Sequence, residues 1–386
     1  VILIAFADRW RRFRGGSGAG RDTWRPLVML AICYPLAGFV VLWASYGFQV
    51  GTLPVDVQLL PQLGGTTWPL SHYLEQLLDI GGRLQKTTPS FLWGQYSDSG
   101  WWYYFPIAFV LKTPLPTLIL LAWSGVRLVM CWLGRLGEGK CLSVLDAAAL
   151  LVPAAGYFAI ALTTDINLGY RHLLPVLPFL AVFIAAMISR VDIRLPQSQP
   201  ALRRPQVIVG GLVLWLGFIA LWVYPHYLTY FNLLAGGPEG GWRYLVDSNI
   251  DWGQDLAGLG SWMVENDVEQ VSLSYFGEAR PEYYGIDYQG LESFPPRLMN
   301  PLAKPIHPAQ PAPGIYAISA TNLQGVHFAD HDQFEWFRTR EPVDKVGNSI
   351  FIYQVAAEGE PVDLALGGLQ IDEISILDFA AWSGND

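Results

Sequence analysis

Charge is scarce in this sequence. Of its 386 residues only 15% are Asp, Glu, Lys or Arg, against roughly 25% in an ordinary soluble domain, while 52% are hydrophobic. A chain this apolar points to a protein partly shielded from water. Cysteine is scarce too. Cys33, Cys131 and Cys141 are the three present and none follows residue 225, so no disulfide framework is expected. The P-loop, the dinucleotide fingerprint, zinc-ligand spacings and the nucleophile elbow are all missing, which excludes the chemistries that depend on them.

What is present is long apolar runs. Residues 27–48, 113–134, 144–163, 173–189 and 207–225 each hold 17 to 22 residues with few or no charges. At 1.5 Å per residue, that is the length a helix needs to cross about 30 Å of hydrocarbon. The expectation is five membrane-spanning helices in a polytopic α-helical membrane protein.

The few charges are sorted along the chain. Residues 1–225 carry 17 Lys/Arg against 10 Asp/Glu, whereas residues 226–386 carry 7 against 23. Within the basic part, Arg9, Arg11, Arg12, Arg14, Arg21 and Arg25 precede the first run, Arg135 and Lys140 lie between the second and third, and Arg190, Arg194, Arg203 and Arg204 lie between the fourth and fifth. Positive residues stay on the cytoplasmic side. That rule puts 1–26 inside, the loops 49–112 and 164–172 outside, and the part after 225 outside the cell (plasma or inner) membrane. The acidity of that last part excludes nucleic acid as a partner. The opening "VILIAFADRWRRFR" reads as the end of an earlier span, so a fragment is expected.

Three segments follow: 1–26, a cytoplasmic stretch after a truncated span; 27–225, a transmembrane region with external loop 49–112; and 226–386, an extracytoplasmic α/β domain. In the loop, Leu70, Tyr73, Leu74, Leu77 and Leu78 fall at helical spacing, predicting an amphipathic helix ended by Gly81 and Gly82. After 225, "GQDLAGLGSWMVEN" has a helical period, residues 271–277, 314–319 and 349–355 read as strands, and "QFEWFRTR" reads as a short helix.

Candidate chemistry gathers in three places. In "YLVDSNIDWGQDL", Asp247, Asn249 and Asp251 stand at the 1, 3, 5 spacing of a calcium loop. Such a loop needs Gly sixth and Glu twelfth, and here Trp252 and Gly258 occupy those positions. No metal site is therefore assigned, no cofactor is established, and a divalent cation stays open. The ordinary reading is a strand end at Tyr244, Leu245 and Val246 turning into a helix, with Ser248, Asn249 or Asp251 capping it and Asp255 in its first turn. The other reading is a polar surface touching a substrate beside the membrane. Second, "DINLGYRHLLPVLPFL" brings Tyr170, Arg171 and His172 to the outer edge of a span. Arg171 there is either a snorkelling anchor or a bidentate ligand for a lipid phosphate, and Lys112 invites the same two readings. Third, the aromatic cluster containing Trp101 and Trp102 is either an interfacial belt or a stacking surface for a sugar or polyprenyl chain. Asp56 and Asp98 in the same loop are candidate bases that nothing singles out.

The blocks "GQYSDSGWWYYFPIAFVLKTPLP", "NLGYRHLLPVLPFL", "YPHYLTYFNLLAGGP", "YLVDSNIDWGQDL" and "YFGEARPEYYGI" resemble bacterial polytopic glycosyltransferases of the GT-C superfamily, in the group akin to protein mannosyltransferases (glycosyltransferase family 39). The likeness covers roughly residues 27–355. It implies transfer of a sugar, as a hexosyltransferase, from a polyprenyl-phosphate donor to a lipid, glycan or protein acceptor at the outer face of the membrane. It also implies donor-phosphate contacts at Arg171 and Lys112, with Tyr170, His172, Trp101, Trp102, Asp247, Asn249, Asp251 and Trp252 near substrate. The general base implied by the resemblance is a carboxylate in the first external loop of the full protein, expected upstream of residue 1. The rival expectations are a non-catalytic membrane protein whose exported domain binds a glycan or protein, and a transporter. The transporter is disfavoured because nearly every charge lies at a span end.

Overall fold

The computed structural model describes residues 25–57, 59–83, 88–137, 141–189, 205–296 and 306–357. The basic segments before residue 25 and between 190 and 204, and the stretch after 357, lie outside the described residues.

The first apolar run forms α1 (Arg25–Ser45). The loop after α1 then folds into an antiparallel pair, β1 (Val50–Thr52) and β2 (Thr67–Pro69), followed by α2 (Ser71–Arg83) and a tight hairpin of β3 (Ser90–Leu92) and β4 (Gln95–Ser97). In α2 the predicted apolar side is real: Leu78 packs with Leu53 and Val57, and Leu74 joins them. Gly81 and Gly82 do not end it, because the helix continues to Arg83.

A short helix α3 (Tyr104–Lys112) precedes the second run; Thr113 leaves the helical region, and the run itself forms α4 (Leu115–Trp132), which begins behind Pro114. Proline suits a first helical turn, where its missing N–H costs nothing, and it disfavours helix in the residue before it. The third run is α5 (Val144–Ala161), opened by Ser143, whose hydroxyl accepts the Asp146 amide. The fourth starts as a 3-10 turn over Tyr170–Val176 and continues as α6 (Leu177–Ser189), and the fifth is α7 (Pro205–Val223).

Three helical segments, Leu115–Trp132, Val144–Ala161 and Tyr170–Ser189, are long and apolar enough to cross a membrane. Ile32–Ser45 and Val207–Val223 are shorter apolar helices. The packed seams are narrow, with Leu128, Ala147, Phe183 and Met187 making one cluster, while Val152, Ile160, Leu214 and Leu221 are exposed. Leu221 is 80% exposed, and leaving a side chain of that size in water forgoes about 1.5–3 kcal/mol. Helices apolar on every side are at home in lipid.

One expectation about sulfur fails. Cys131 and Cys141 are joined in a disulfide, with Cα atoms 5.7 Å apart. The chain turns back directly after α4 through Gly134, which sits at φ +66°, and this brings together two thiols ten residues apart.

Beyond α7 a single-turn α8 (Gly237–Gly240) and several 3-10 turns lead to α9 (Leu256–Glu265). There follow β5 (Val271–Ser274), β6 (Tyr288–Gly290), β7 (Gly314–Ser319), α10 (Ala320–Leu323), α11 (Glu335–Arg338), β8 (Asp344–Val346) and β9 (Ile350–Val355). The strands form one mixed sheet in the order β6-β5-β7-β9-β8. β5 pairs parallel with β6 and β7, and β9 pairs antiparallel with β7 and β8. The middle of β7 is fully covered, with Ala317 and Ile318 at 0% exposure, as expected of a strand with a packed layer on each face.

The loop between α1 and α4 and this C-terminal module are not separate bodies. Phe91 and Leu92 of the hairpin, Tyr104, Phe105 and Leu111 of α3, and Tyr316, Phe337 and Phe351 of the module belong to one buried cluster. Tyr96 adds a polar clamp, donating its hydroxyl to the Gln324 carbonyl at 2.7 Å while Arg338 donates to Tyr96.

Candidate functional site

The polar groups of "YLVDSNIDWGQDL" dock the module to the helices. Tyr244, Leu245 and Val246 form no strand; a 3-10 turn over Gly241–Arg243 precedes them and another over Asp247–Asn249 follows. Asn249 is at 0% exposure. Its side-chain carbonyl accepts the Tyr170 amide at 2.9 Å, and its amide donates to the Tyr104 hydroxyl at 2.8 Å and to the Val246 carbonyl at 3.0 Å. One side chain thus ties the start of the 170–189 helix, the start of α3 and its own loop. Approach is close enough to require glycine on the other side: a Cβ on Gly169 would lie 2.8 Å from the Ser248 Cβ.

Lys112 completes the joint from beneath. It is 8% exposed, and its ammonium donates to the carbonyls of Leu228 and Asn249 at 2.7 and 2.5 Å and lies 4.3 Å from the centre of the Phe231 ring. Desolvation pushes it down to about 7. Beside it Asn232 donates to the carbonyls of Val110 and Thr113, covering groups that the break between α3 and α4 leaves open. Lys112, expected as a phosphate contact, thus has two of its ammonium's three donors on backbone carbonyls.

Arg171 has a different setting. It is exposed, and its guanidinium lies 4.9 Å from the centre of the Trp252 ring, itself 51% exposed. Among the described residues no carboxylate forms an ion pair with it. Tyr170 is turned inward, its hydroxyl sharing a hydrogen bond with Thr113 at 2.9 Å and its ring stacking on Phe109. His172 meets Phe105 edge-on, and its Nε2 is buried without a hydrogen-bond partner among the described residues. Trp101 and Trp102 stand at the start of α3 around Tyr103, Trp101 half-buried and Trp102 at 69% exposure.

Each of the three acids of the loop makes internal contacts. Asp247 adopts φ +57°, a left-handed position that Asp tolerates better than most residues. Its Oδ1 accepts the Ser248 amide and hydroxyl, and its Oδ2 lies 3.0 Å from His327 Nε2. His327, missed in the sequence reading, stacks 3.9 Å from Phe294. Asp251 is at 0% exposure and accepts the Gly253 amide; burial pushes its carboxyl well above the ordinary range, and Asp255 and Asp247 add to the push. The expected caps are not made. Asp255 occupies the N-cap position of α9 without a side-chain bond to the helix. It accepts instead from the Ser349 hydroxyl at 2.7 Å and the Gln254 amide at 3.0 Å, and lies 3.1 Å from His226 Nδ1. This Ser–Asp–His array has the wrong order for nucleophilic catalysis, which needs imidazole next to the hydroxyl.

Asp56 and Asp98 are exposed. Among the described residues no group of His, Cys, Asp or Glu could hold a metal ion, so the rejected calcium spacing gains no support. No family model, curated protein or solved structure matches the chain.

Proposed function

We propose that the chain carries the donor-binding and exported regions of a membrane glycosyltransferase that moves a sugar from a polyprenyl-phosphate donor to an acceptor at the outer face of a cell membrane. In this reading all five apolar helices span the bilayer, and Arg171 holds the donor phosphate. The observation that carries it is the setting of Arg171: an exposed guanidinium, without an ion-pair partner among the described residues, at the mouth of a 20-residue apolar helix and braced by Trp252 of the exported module. A planar cation in that position suits the bidentate grip of a lipid phosphate whose chain lies along the helices. As the phosphate leaves the anomeric carbon its charge grows, and a fixed cation in a water-poor site stabilises it more than bulk water would. Lys112 serves here as a positioning residue, holding the Asn249 carbonyl that anchors the Trp252 loop.

The general base is not assigned to a residue of this chain. The second reading, a membrane protein whose module binds a glycan or protein without catalysis, is favoured by one fact: Asp247, Asp251 and Asp255 are all committed to internal contacts.

The test is transfer from a panel of polyprenyl-phosphate sugars by the full-length protein in membranes. Arg171→Ala lowers turnover by about 100-fold with insertion unchanged, and Arg171→Lys restores part of it. Wild-type turnover in Arg171→Ala would remove Arg171 from the site and leave the non-catalytic reading.

A further inference from the structure

A second candidate site lies at the other end of α3. The β3–β4 hairpin pairs Leu92 with Gln95, so its turn consists of Trp93 and Gly94 alone. Both have positive φ, +50° and +76°. Such turns favour Asn-Gly, and a bulky residue there is held under backbone strain. Strain of this kind persists only where the surroundings hold it. Here the Trp93 amide donates to the Tyr244 carbonyl at 2.9 Å and the two rings lie 5.4 Å apart, so the module fixes the turn. Trp93 is nonetheless 67% exposed, which means its ring is braced from one side and open on the other.

The open face borders a cavity of about 240 Å³ lined by Leu92, Trp93, Gln95, Tyr103 and Ile107. None of these residues carries a charge. The lining offers two aromatic rings, one primary amide with donors and an acceptor, and one phenol. A charged ligand would find no counter-charge, and a purely apolar one would strip water from Gln95 without replacing its hydrogen bonds. What fits is a small, neutral, polyhydroxylated ring whose C–H face lies on an aromatic ring and whose hydroxyls meet an amide.

We propose that this cavity binds one sugar unit of a neutral carbohydrate acceptor. The proposal rests on the glycosyltransferase reading for the word acceptor, and it names the acceptor class as saccharide. The hairpin is held to the module by Tyr96 and Arg338, which distinguishes Trp93 from a side chain anchored in lipid headgroups.

The experiment uses the full-length protein in lipid nanodiscs and saturation-transfer NMR with the methyl glycosides of glucose, galactose, mannose and N-acetylglucosamine. At least one glycoside receives saturation through its ring protons. Trp93→Asn removes the ring while supplying the residue the turn prefers, so thermal stability is equal or higher and binding weakens about tenfold. Gln95→Leu also weakens it, and Tyr283→Ala, at an exposed position of the module, does not. The proposal is overturned if no glycoside binds, if binding is undiminished in the Trp93→Asn, Gln95→Leu double variant, or if brominated lipid quenches the fluorescence lost in Trp93→Asn, which would make Trp93 a membrane anchor. Binding needs no turnover, so the two readings fail separately: glycoside binding without transfer from any donor removes the enzyme, and transfer without glycoside binding removes this site.

Discussion

Lys112 and Asn249, 137 positions apart in sequence, are joined by a 2.5 Å hydrogen bond from a buried ammonium to a backbone carbonyl. That bond fixes the C-terminal module to the break between α3 and α4. It also explains why a polar segment lies buried: the loop 247–255 is the joint between the helices and the sheet.

The joint depends most on the Asn249 side chain. Asn249→Ala leaves the Tyr170 amide and the Tyr104 hydroxyl without their partners, at about 2–4 kcal/mol of stability. Asn249→Asp keeps the acceptor for Tyr170 but loses both donors. Thermal unfolding in detergent should rank wild type above Asp, with Ala well below wild type; a wild-type melting temperature in Asn249→Ala would show that the module docks by other contacts.

Lys112 gives the joint a pH signature. Its folded value of about 7 lies below the ordinary 10.5, so between these limits the unfolded chain binds a proton that the folded chain does not. Stability therefore rises with pH across that window and levels off below 7. Lys112→Met removes this component, and the difference between wild-type and variant melting temperatures should change with that sign from pH 7 to 10.

Asp251 runs the other way. Its folded value is raised by burial, so the folded chain keeps a proton that the unfolded one gives up, and stability is lost as pH rises above the ordinary carboxylate range. Asp251→Asn, which cannot ionise, should be neutral near pH 4 and more stable than wild type at pH 7. A loss of stability at pH 7 would mean that the ionised form is used.

Much of the framework was legible because it is written in local pattern. Runs of apolar residues marked the helices, and alternation or short apolar blocks marked β5, β7 and β9. β6 and β8 were missed because three-residue edge strands leave too little pattern to read. The site was legible in composition and opaque in pairing. Asp255 looks like an ordinary acid of a helix's first turn until Ser349, 94 positions on, is seen to bond it. Lys112 looks like a span-end cation until the carbonyls of Leu228 and Asn249 close on it. His327 carried no signal, since its partner Asp247 lies 80 positions away.

Orientation is where two observations pull apart. Arg135 and Lys140 mark the connection after α4 as cytoplasmic, yet the same connection carries the Cys131–Cys141 bond, and disulfides persist in oxidising compartments. The measurement that decides is cysteine labelling of intact cells with a membrane-impermeant maleimide. Cysteines are introduced at Tyr283, which is 83% exposed on the module, and at Ser198 in the basic connection before α7. The account predicts labelling of Tyr283→Cys from outside and of Ser198→Cys only after permeabilisation. The reverse pattern would place Arg171 and the module on the cytoplasmic face and contradict a transferase working outside the cell.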